Sequence, residues 1–409
     1  PPWTRTGVPP VAGRGCAPLV VGSEGGIELV ISALTVRDFR NIPSLSLEPS
    51  PGVNVIYGDN AQGKTNLVEA LYLLTGQKSF RQTRETDLVR FGQKTANVSA
   101  RFQGGGREQV VSLTLEGGKR AASLNELPVA VGELTGKFFA VVFSPAGLSL
   151  VRDGPSQRRA FLDGAISQVM PRYQRTMADL NRVLFQRNSL LNDINRRLAP
   201  DDGLLEVWDR SFSKLSYSVI NARCRYLSRL APFGEEIYRG ISGGKEAFSM
   251  AYHPSIPGEW GKIKEEEGEE LIFSALGRAR GDDLKNGCTT LGPHRDDLDL
   301  WVDGVAVRSY GSQGQQRSCA LTLKLAECRV IREVAGEQPV ILLDDVLSEL
   351  DKARRDYLLS GLAEGQLFIT CCERNGFGAM REGMMWRIEK GALVSKRRMA
   401  PKRPRPAGP

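Results

Sequence analysis

The spacing of apolar positions changes twice along the chain. From Ile27 to Phe143 it is close to two. Ile27–Val36, Leu45–Leu47 and Val53–Tyr57 are β-branched or alternating runs, separated by the turn residues Asn41, Pro43, Pro51 and Gly52, and they predict strands. A helix is expected from Lys64 to about Leu74, closed by Gly76. Further strands are expected over Ala96–Phe102, Gln109–Leu115 and Phe138–Phe143.

At about Ala165 the repeat lengthens to roughly 3.5, the helical range. Apolar residues recur at Ile166, Val169, Tyr173, Met177, Leu180, Leu184, Leu191 and Ile194. After a polar break at Ala199–Gly203 they resume at Leu205, Trp208, Phe212, Leu215, Val219, Ala222, Tyr226 and Leu230. Two amphipathic helices joined by a short turn predict an antiparallel hairpin, each arm about 30 residues or roughly 45 Å long. An acidic segment, Glu265–Glu270, is expected at the surface before the sequence turns strand-like again. The Pro/Gly-rich residues 1–26 and the basic residues 396–409 read as a disordered lead and tail. The expected division is an α/β head over 27–164 and 280–395, with a helical arm inserted at 165–279.

Three motifs carry chemistry. Gly58, Asp59, Asn60, Ala61, Gln62, Gly63, Lys64 and Thr65 match G-x-x-x-x-G-K-[ST], with a predicted strand before them and a helix after. Glycines let backbone N–H groups wrap phosphates, and the helix points its positive end at them. Lys64 is expected to meet the β- and γ-phosphates of ATP, and Thr65 to ligate Mg²⁺. Pro339 to Asp345 then reads as a buried strand ending in two acids. Asp344 is expected to hold Mg²⁺, and Asp345 to orient or deprotonate the attacking water. Between them Ser312–Arg317 opens an amphipathic helix to about Val334, and Ser312, Gly314 and Gln315 form a second anion cradle at its N-terminus.

Lys64 and Asp344 lie 280 positions apart, too far for a single βαβ unit. A phosphate loop, then a Ser-x-Gly-Gln helix, then an acidic strand is the order found in ABC-type ATPases, where the second cradle closes over ATP held by a partner subunit. Ser348–Asp351 takes the place of the loop that crosses that interface. The fold class follows: α/β, an ABC-type head with a mixed sheet around the phosphate loop and an inserted helical hairpin.

Composition narrows the setting. With 41% apolar and 25% charged residues the chain is ordinary for a globular protein, and no apolar run is long enough to cross a bilayer. Seven cysteines (16, 224, 288, 319, 328, 371 and 372) without a Cys-x-x-Cys pair suggest neither a disulfide framework nor zinc, and they fit the reducing cytoplasm. The net charge of +8 sits mostly in the tail, leaving the body near neutral. Between Ile166 and Leu230, however, eleven basic residues face six acidic ones. Arg172, Arg175, Arg182, Arg187, Arg223, Arg225 and Arg229 are candidates to face DNA phosphates.

With these residues in hand the chain resembles the RecF family of bacterial recombination-mediator ATPases, related to the SMC heads. The matching stretches are Leu34–Asn41, Gly58–Thr65, Phe143–Pro145, Arg158–Asp163, Leu291–Asp297, Gly311–Arg317 and Leu342–Asp351. The resemblance covers residues 30 to 390. It implies an ATP-dependent homodimer on gapped, single-stranded or junction DNA, working with RecO and RecR to load recombinase. Roles in replication and SOS induction are implied too. Asp345 stands where ABC ATPases usually carry Glu, which suggests slow hydrolysis. Thr370, Cys371 and Cys372 replace a γ-phosphate-sensing His, leaving that role empty or to Thr370, and a glutamine loop near Phe143 is not evident. His294 and Arg295 read as structural or interface residues. A longer-armed chromosome-organising or break-repair ATPase would carry a zinc hook. A transporter subunit would hold its phosphate loop and acidic strand far closer together.

Overall fold

The computed structural model describes residues 29–81, 83–198, 200, 203–362, 364–372 and 382–399. The chain opens with β1 (Val30–Phe39), β2 (Ile42–Leu47), β3 (Val53–Tyr57) and α1 (Lys64–Leu73). Next come β4 (Thr95–Gly104), β5 (Arg107–Glu116), β6 (Lys119–Leu124), β7 (Leu127–Val129), β8 (Ala140–Phe143) and the short α2 (Pro145–Leu148). A helical stretch follows: α3 (Pro155–Val169), α4 (Pro171–Asn195) and α5 (Leu204–Ser242), then β9 (Phe248–His253) and α6 (Glu265–Asn286). The last part contains β10 (Asp297–Val302), β11 (Val305–Ala306), α7 (Val307–Tyr310), α8 (Gln313–Ala335), β12 (Val340–Asp344), α9 (Lys352–Gly361), β13 (Leu367–Cys371), β14 (Gly383–Glu389) and β15 (Ala392–Met399).

Two six-stranded sheets make the head. One is antiparallel, in the order β2-β1-β4-β5-β6-β7; the other runs β15-β14-β3-β13-β12-β8. In the second, β14, β3, β13, β12 and β8 are mutually parallel, and β3, β12 and β8 are buried at every position. That explains their continuous apolar runs, since a parallel strand covered on both faces has no reason to alternate. The antiparallel sheet alternates instead, as β4 shows in its burial. Gln366 ties the sheets together: its side chain exchanges hydrogen bonds with the Ile31 backbone at 2.8 and 2.9 Å and donates to Ser50 O at 2.8 Å.

The helical part differs from a plain hairpin. The repeat starting at Ala165 runs through two helices, because the chain breaks at Met170 (φ −132°, ψ 81°) before Pro171. Proline accepts a first-turn position but not an interior one, and apolar spacing passes over such a break unmarked. α4 and α5 pack side by side with 25 and 39 residues, about 38 and 58 Å at 1.5 Å per residue. Their turn lies partly outside the described residues. The acidic Glu265–Glu270, mostly exposed as expected, is the start of the 22-residue α6, which packs on both α4 and α5 before the strands resume. Acids in a first turn complement the helix dipole, and the buried stripe of Gly268, Ile272, Ala275 and Leu276 is short, with Gly277 and Gly281 on the exposed side.

The boundaries move as well. Residue 280 falls inside α6, and β9 of the inserted part pairs with β10 of the returning part. Lys396–Met399, assigned to the tail, lie in β15. The lead 1–26 and residues 400–409 lie outside the described residues, as does Cys16.

Candidate nucleotide site

The phosphate loop leaves β3 and enters α1. Gly63 starts the helix at φ +104°, where a Cβ would stand 2.7 Å from Asn41 Oδ1. A Cβ at Gly58 would meet Ile388 O at 2.3 Å. Only glycine fits both places. The loop is clamped from two sides. Asn41 donates from Nδ2 to Ala61 O at 3.1 Å and accepts from Asn66 at 2.8 Å. The β14–β15 turn holds Gln62, whose Oε1 accepts from Lys390 N at 2.6 Å and whose carbonyl accepts from Gly391 N at 2.9 Å.

Lys64 is 7% exposed and donates to Gly58 O at 2.7 Å and Asp59 O at 2.8 Å, which keeps its ammonium over the loop. Asn60 accepts at 3.0 Å from Cys372 Sγ, itself 3.8 Å from Lys64 Nζ. Thr65 donates to Asp344 Oδ1 at 2.8 Å, joining residues 279 positions apart. Thr370 donates to the same oxygen at 2.9 Å. Burial pushes the Asp344 carboxyl above its ordinary value against these two hydrogen bonds. A half-buried hydroxyl and a buried carboxylate are hard oxygen donors, and such a pair fits Mg²⁺, which takes one or two protein oxygens and completes its shell with phosphate and water. No group of three or more His, Cys, Asp or Glu side chains suited to a metal occurs among the described residues.

Asp345 follows at φ +51°, half-buried, with its N–H donating to Thr370 Oγ1 at 2.9 Å and its carbonyl accepting from Ser348 at 2.8 Å. Thr370 is 2% exposed and its hydroxyl joins the two acids, donating to the Asp344 carboxylate and accepting from the Asp345 backbone N–H.

The second cradle is the start of α8. Ser312 caps it and is exposed. Its N–H donates to Gln315 Oε1 at 2.9 Å, and Gln315 N donates back to Ser312 Oγ at 3.2 Å, a capping box. Gly314 O accepts from Arg354 at 3.1 Å, and Arg317 reaches Glu349 at 2.8 Å. Residues 348–354, just beyond Asp345, therefore brace this helix end.

Two arm arginines do not face outward. Arg187 is fully buried, bound to Asp209 at 2.6 Å and Asp283 at 2.8 Å. Arg223 is 1% exposed, bound to Asp163 at 2.9 Å and to Pro293 O at 2.8 Å. Each sits on the apolar side of its helix, where charge is affordable only with partners. Arg172, Arg175, Arg182, Arg225 and Arg229 are exposed. His294 is half-buried and bonded to Thr289 O at 3.0 Å, a structural place.

Residues that support the site were not singled out from sequence. Glu69 of α1 is fully buried and binds Arg40 at 2.8 Å. Asn41 read only as a turn residue. Both Arg40 and Asn41 belong to the Leu34–Asn41 string, the one sequence signal that pointed at them.

A family model described as the RecF/RecN/SMC N-terminal domain matches residues 30–392. A DNA replication and repair protein RecF of Agathobacter rectalis is 38% identical over 347 residues, 84% of this chain and 92% of that protein. Its counterpart in Heliobacterium modesticaldum is 38% identical over 371 residues, 89% and 98% of the two chains. A solved structure described as the recombination mediator protein RecF-ATP in the RecFOR pathway superposes with a TM-score of 0.84 at 33% identity, covering 93% of this chain and 100% of that one. An Smc head domain from Pyrococcus furiosus shares the fold, with a TM-score of 0.52 at 16% identity over 91% and 96% of the chains. A phosphate loop tied to a distant acidic strand, on a head of this topology, places the chain in the RecF family of DNA replication and repair proteins.

Proposed function

We propose that this chain is an ATP-driven recombination mediator: ATP bound at Gly58–Thr65 of one copy is closed over by Ser312, Gly314 and Gln315 of a second, and the homodimer so formed holds gapped or junction DNA. The observation that carries this reading is the joining of Lys64, Thr65 and Asp344 in one largely enclosed site while Ser312 stands exposed at a braced helix end. A solvent-facing cradle of backbone donors has a use if a neighbour brings the phosphate to it.

In this reading Lys64 and the loop N–H groups bind the phosphates. Thr65 and Asp344 would hold Mg²⁺, which when bound neutralises charge on the β- and γ-oxygens. Asp345 orients the attacking water and accepts its proton. One methylene shorter than Glu, it reaches the water less well, so hydrolysis is slow and ATP acts chiefly as a dimerisation switch. Cooperation with RecO and RecR, a part in SOS induction and a cytoplasmic location belong to the same proposal.

Lys64→Arg tests it. The larger, planar guanidinium does not reproduce the point charge of the ammonium, so ATP-dependent dimerisation and retention of gapped DNA should both disappear in light scattering and filter-binding measurements. Survival of both would refute the switch.

A further inference from the structure

One carboxylate at the second cradle has no part in the chemistry above. Glu246 lies on the connector between α5 and β9, half-buried, after Gly243 and Gly244. Its Oε1 accepts from Gln315 Nε2 at 2.8 Å, and its Oε2 accepts from Tyr238 OH at 2.8 Å. Tyr238 is fully buried near the end of α5, with its ring stacked on Phe248 at 5.1 Å and 15°. The connector is pinned on the far side too: Ala247 N donates to Asp303 Oδ1 and Asp303 N to Ala247 O, both at 2.8 Å. The carboxylate is thus held by the arm helix through Tyr238, its neighbour Ala247 is held by the β10–β11 turn, and it meets α8 through one residue.

That residue is Gln315, whose amide has two faces of opposite chemistry. An ionised carboxylate only accepts, so Glu246 forces the Gln315 NH₂ towards itself and leaves Oε1 to receive Ser312 N at 2.9 Å. With the box set this way, Ser312 Oγ accepts from Gln315 N. The hydroxyl proton of Ser312 and the first-turn N–H groups of Gln313 and Gly314, which a helix cannot satisfy internally, are then left to meet an anion. With the amide reversed, its NH₂ would face Ser312 N–H, donor against donor, and the first turn would lose its cap.

We propose that Glu246 is a positioning residue for the second cradle: by fixing the Gln315 amide it presets the donors of Ser312–Gln315 for the ATP of another copy. This rests on the reading that the cradle closes on a partner's nucleotide.

An exchange of the two side chains tests it, with dimerisation in ATP followed by analytical ultracentrifugation. Removing a hydrogen bond to a charged group should weaken dimerisation by about tenfold in Glu246→Ala. Binding of an ATP analogue to the dilute monomer, made by the Gly58–Thr65 loop, should stay within about twofold. Gln315→Glu sets two carboxylates face to face and should weaken the dimer further. Glu246→Gln in that background restores an amide–carboxylate pair with its direction reversed. The carboxylate introduced at position 315 can still cap Ser312 but stands closer to the incoming phosphates, so dimerisation should recover at least about threefold over Gln315→Glu alone while staying below the natural chain. A role in folding alone would weaken analogue binding by the monomer together with dimerisation. The proposal is overturned if Glu246→Ala dimerises as the natural chain does, or if the exchanged pair stays as weak as Gln315→Glu. Should Glu246→Ala not fold, the exchanged pair decides. If the natural chain does not dimerise with ATP, the reading of the cradle falls first and the role of Glu246 with it.

Discussion

His294 shows how one side chain sets a pH limit. Burial holds its imidazole down to about 4 from the ordinary 6.5, and Phe212 meets it edge-on at 6.0 Å between centroids. The unfolded chain binds the proton more readily than the folded one, so stability present above pH 6.5 is lost as pH falls towards 4. The thermal midpoint of the natural chain should therefore drop more steeply over that interval than that of His294→Leu; parallel curves would show that folding does not displace the titration of this ring. Asp344 is displaced the other way, raised by burial. Burial disfavours its charged form relative to water, a cost that a cation held beside Thr65 would relieve.

At the scale of elements, the strands around the phosphate loop were readable because each is a short apolar run ending at a turn or an acid: β3 matches its expected span, and α1 and α8 end within a residue of theirs. The helical part was half readable. Its apolar stripe is visible in α4 and α5, but the ion pairs that organise it join residues far apart in sequence, so Arg187 and Arg223 looked like any other surface arginine. Arg187 joins three helices, α4 through its own position, α5 through Asp209 and α6 through Asp283. Replacing it with Leu strands two buried carboxylates and should cost about 3–5 kcal/mol in denaturant unfolding. Arg182→Ala, at an exposed position, should change stability by less than about 0.5 kcal/mol. Equal effects would mean that Arg187 is not the tie between these helices. The clamps on the phosphate loop were hidden for the same reason, since Gln62 meets Lys390 and Gly391 across nearly the whole chain.

For the whole molecule, net charge says little about DNA, and the disposition of arginines says more. Arg172, Arg175, Arg182, Arg225 and Arg229 remain exposed on α4 and α5. Each phosphate contact steepens the salt dependence of duplex binding by about 0.9 in the log–log slope. Removing Arg225 and Arg229 together should lower that slope by up to about 2 in titrations at several salt concentrations. An unchanged slope would move the DNA contact off this part of the arm.

The strand that carries the phosphate loop, β3, has β14 and β13 as its two neighbours, and Asp344 completes the site from β12. All three are made late, after residue 339. A ribosome that has delivered Lys64 and Thr65 has therefore delivered only half a pocket, and the nascent loop waits through most of translation without the edges that shape it. A product released before β12 would keep the whole Gly58–Thr65 signature but lack Asp344 and both strands that flank β3, so retention on immobilised ATP should be weaker for prematurely terminated molecules than for finished ones.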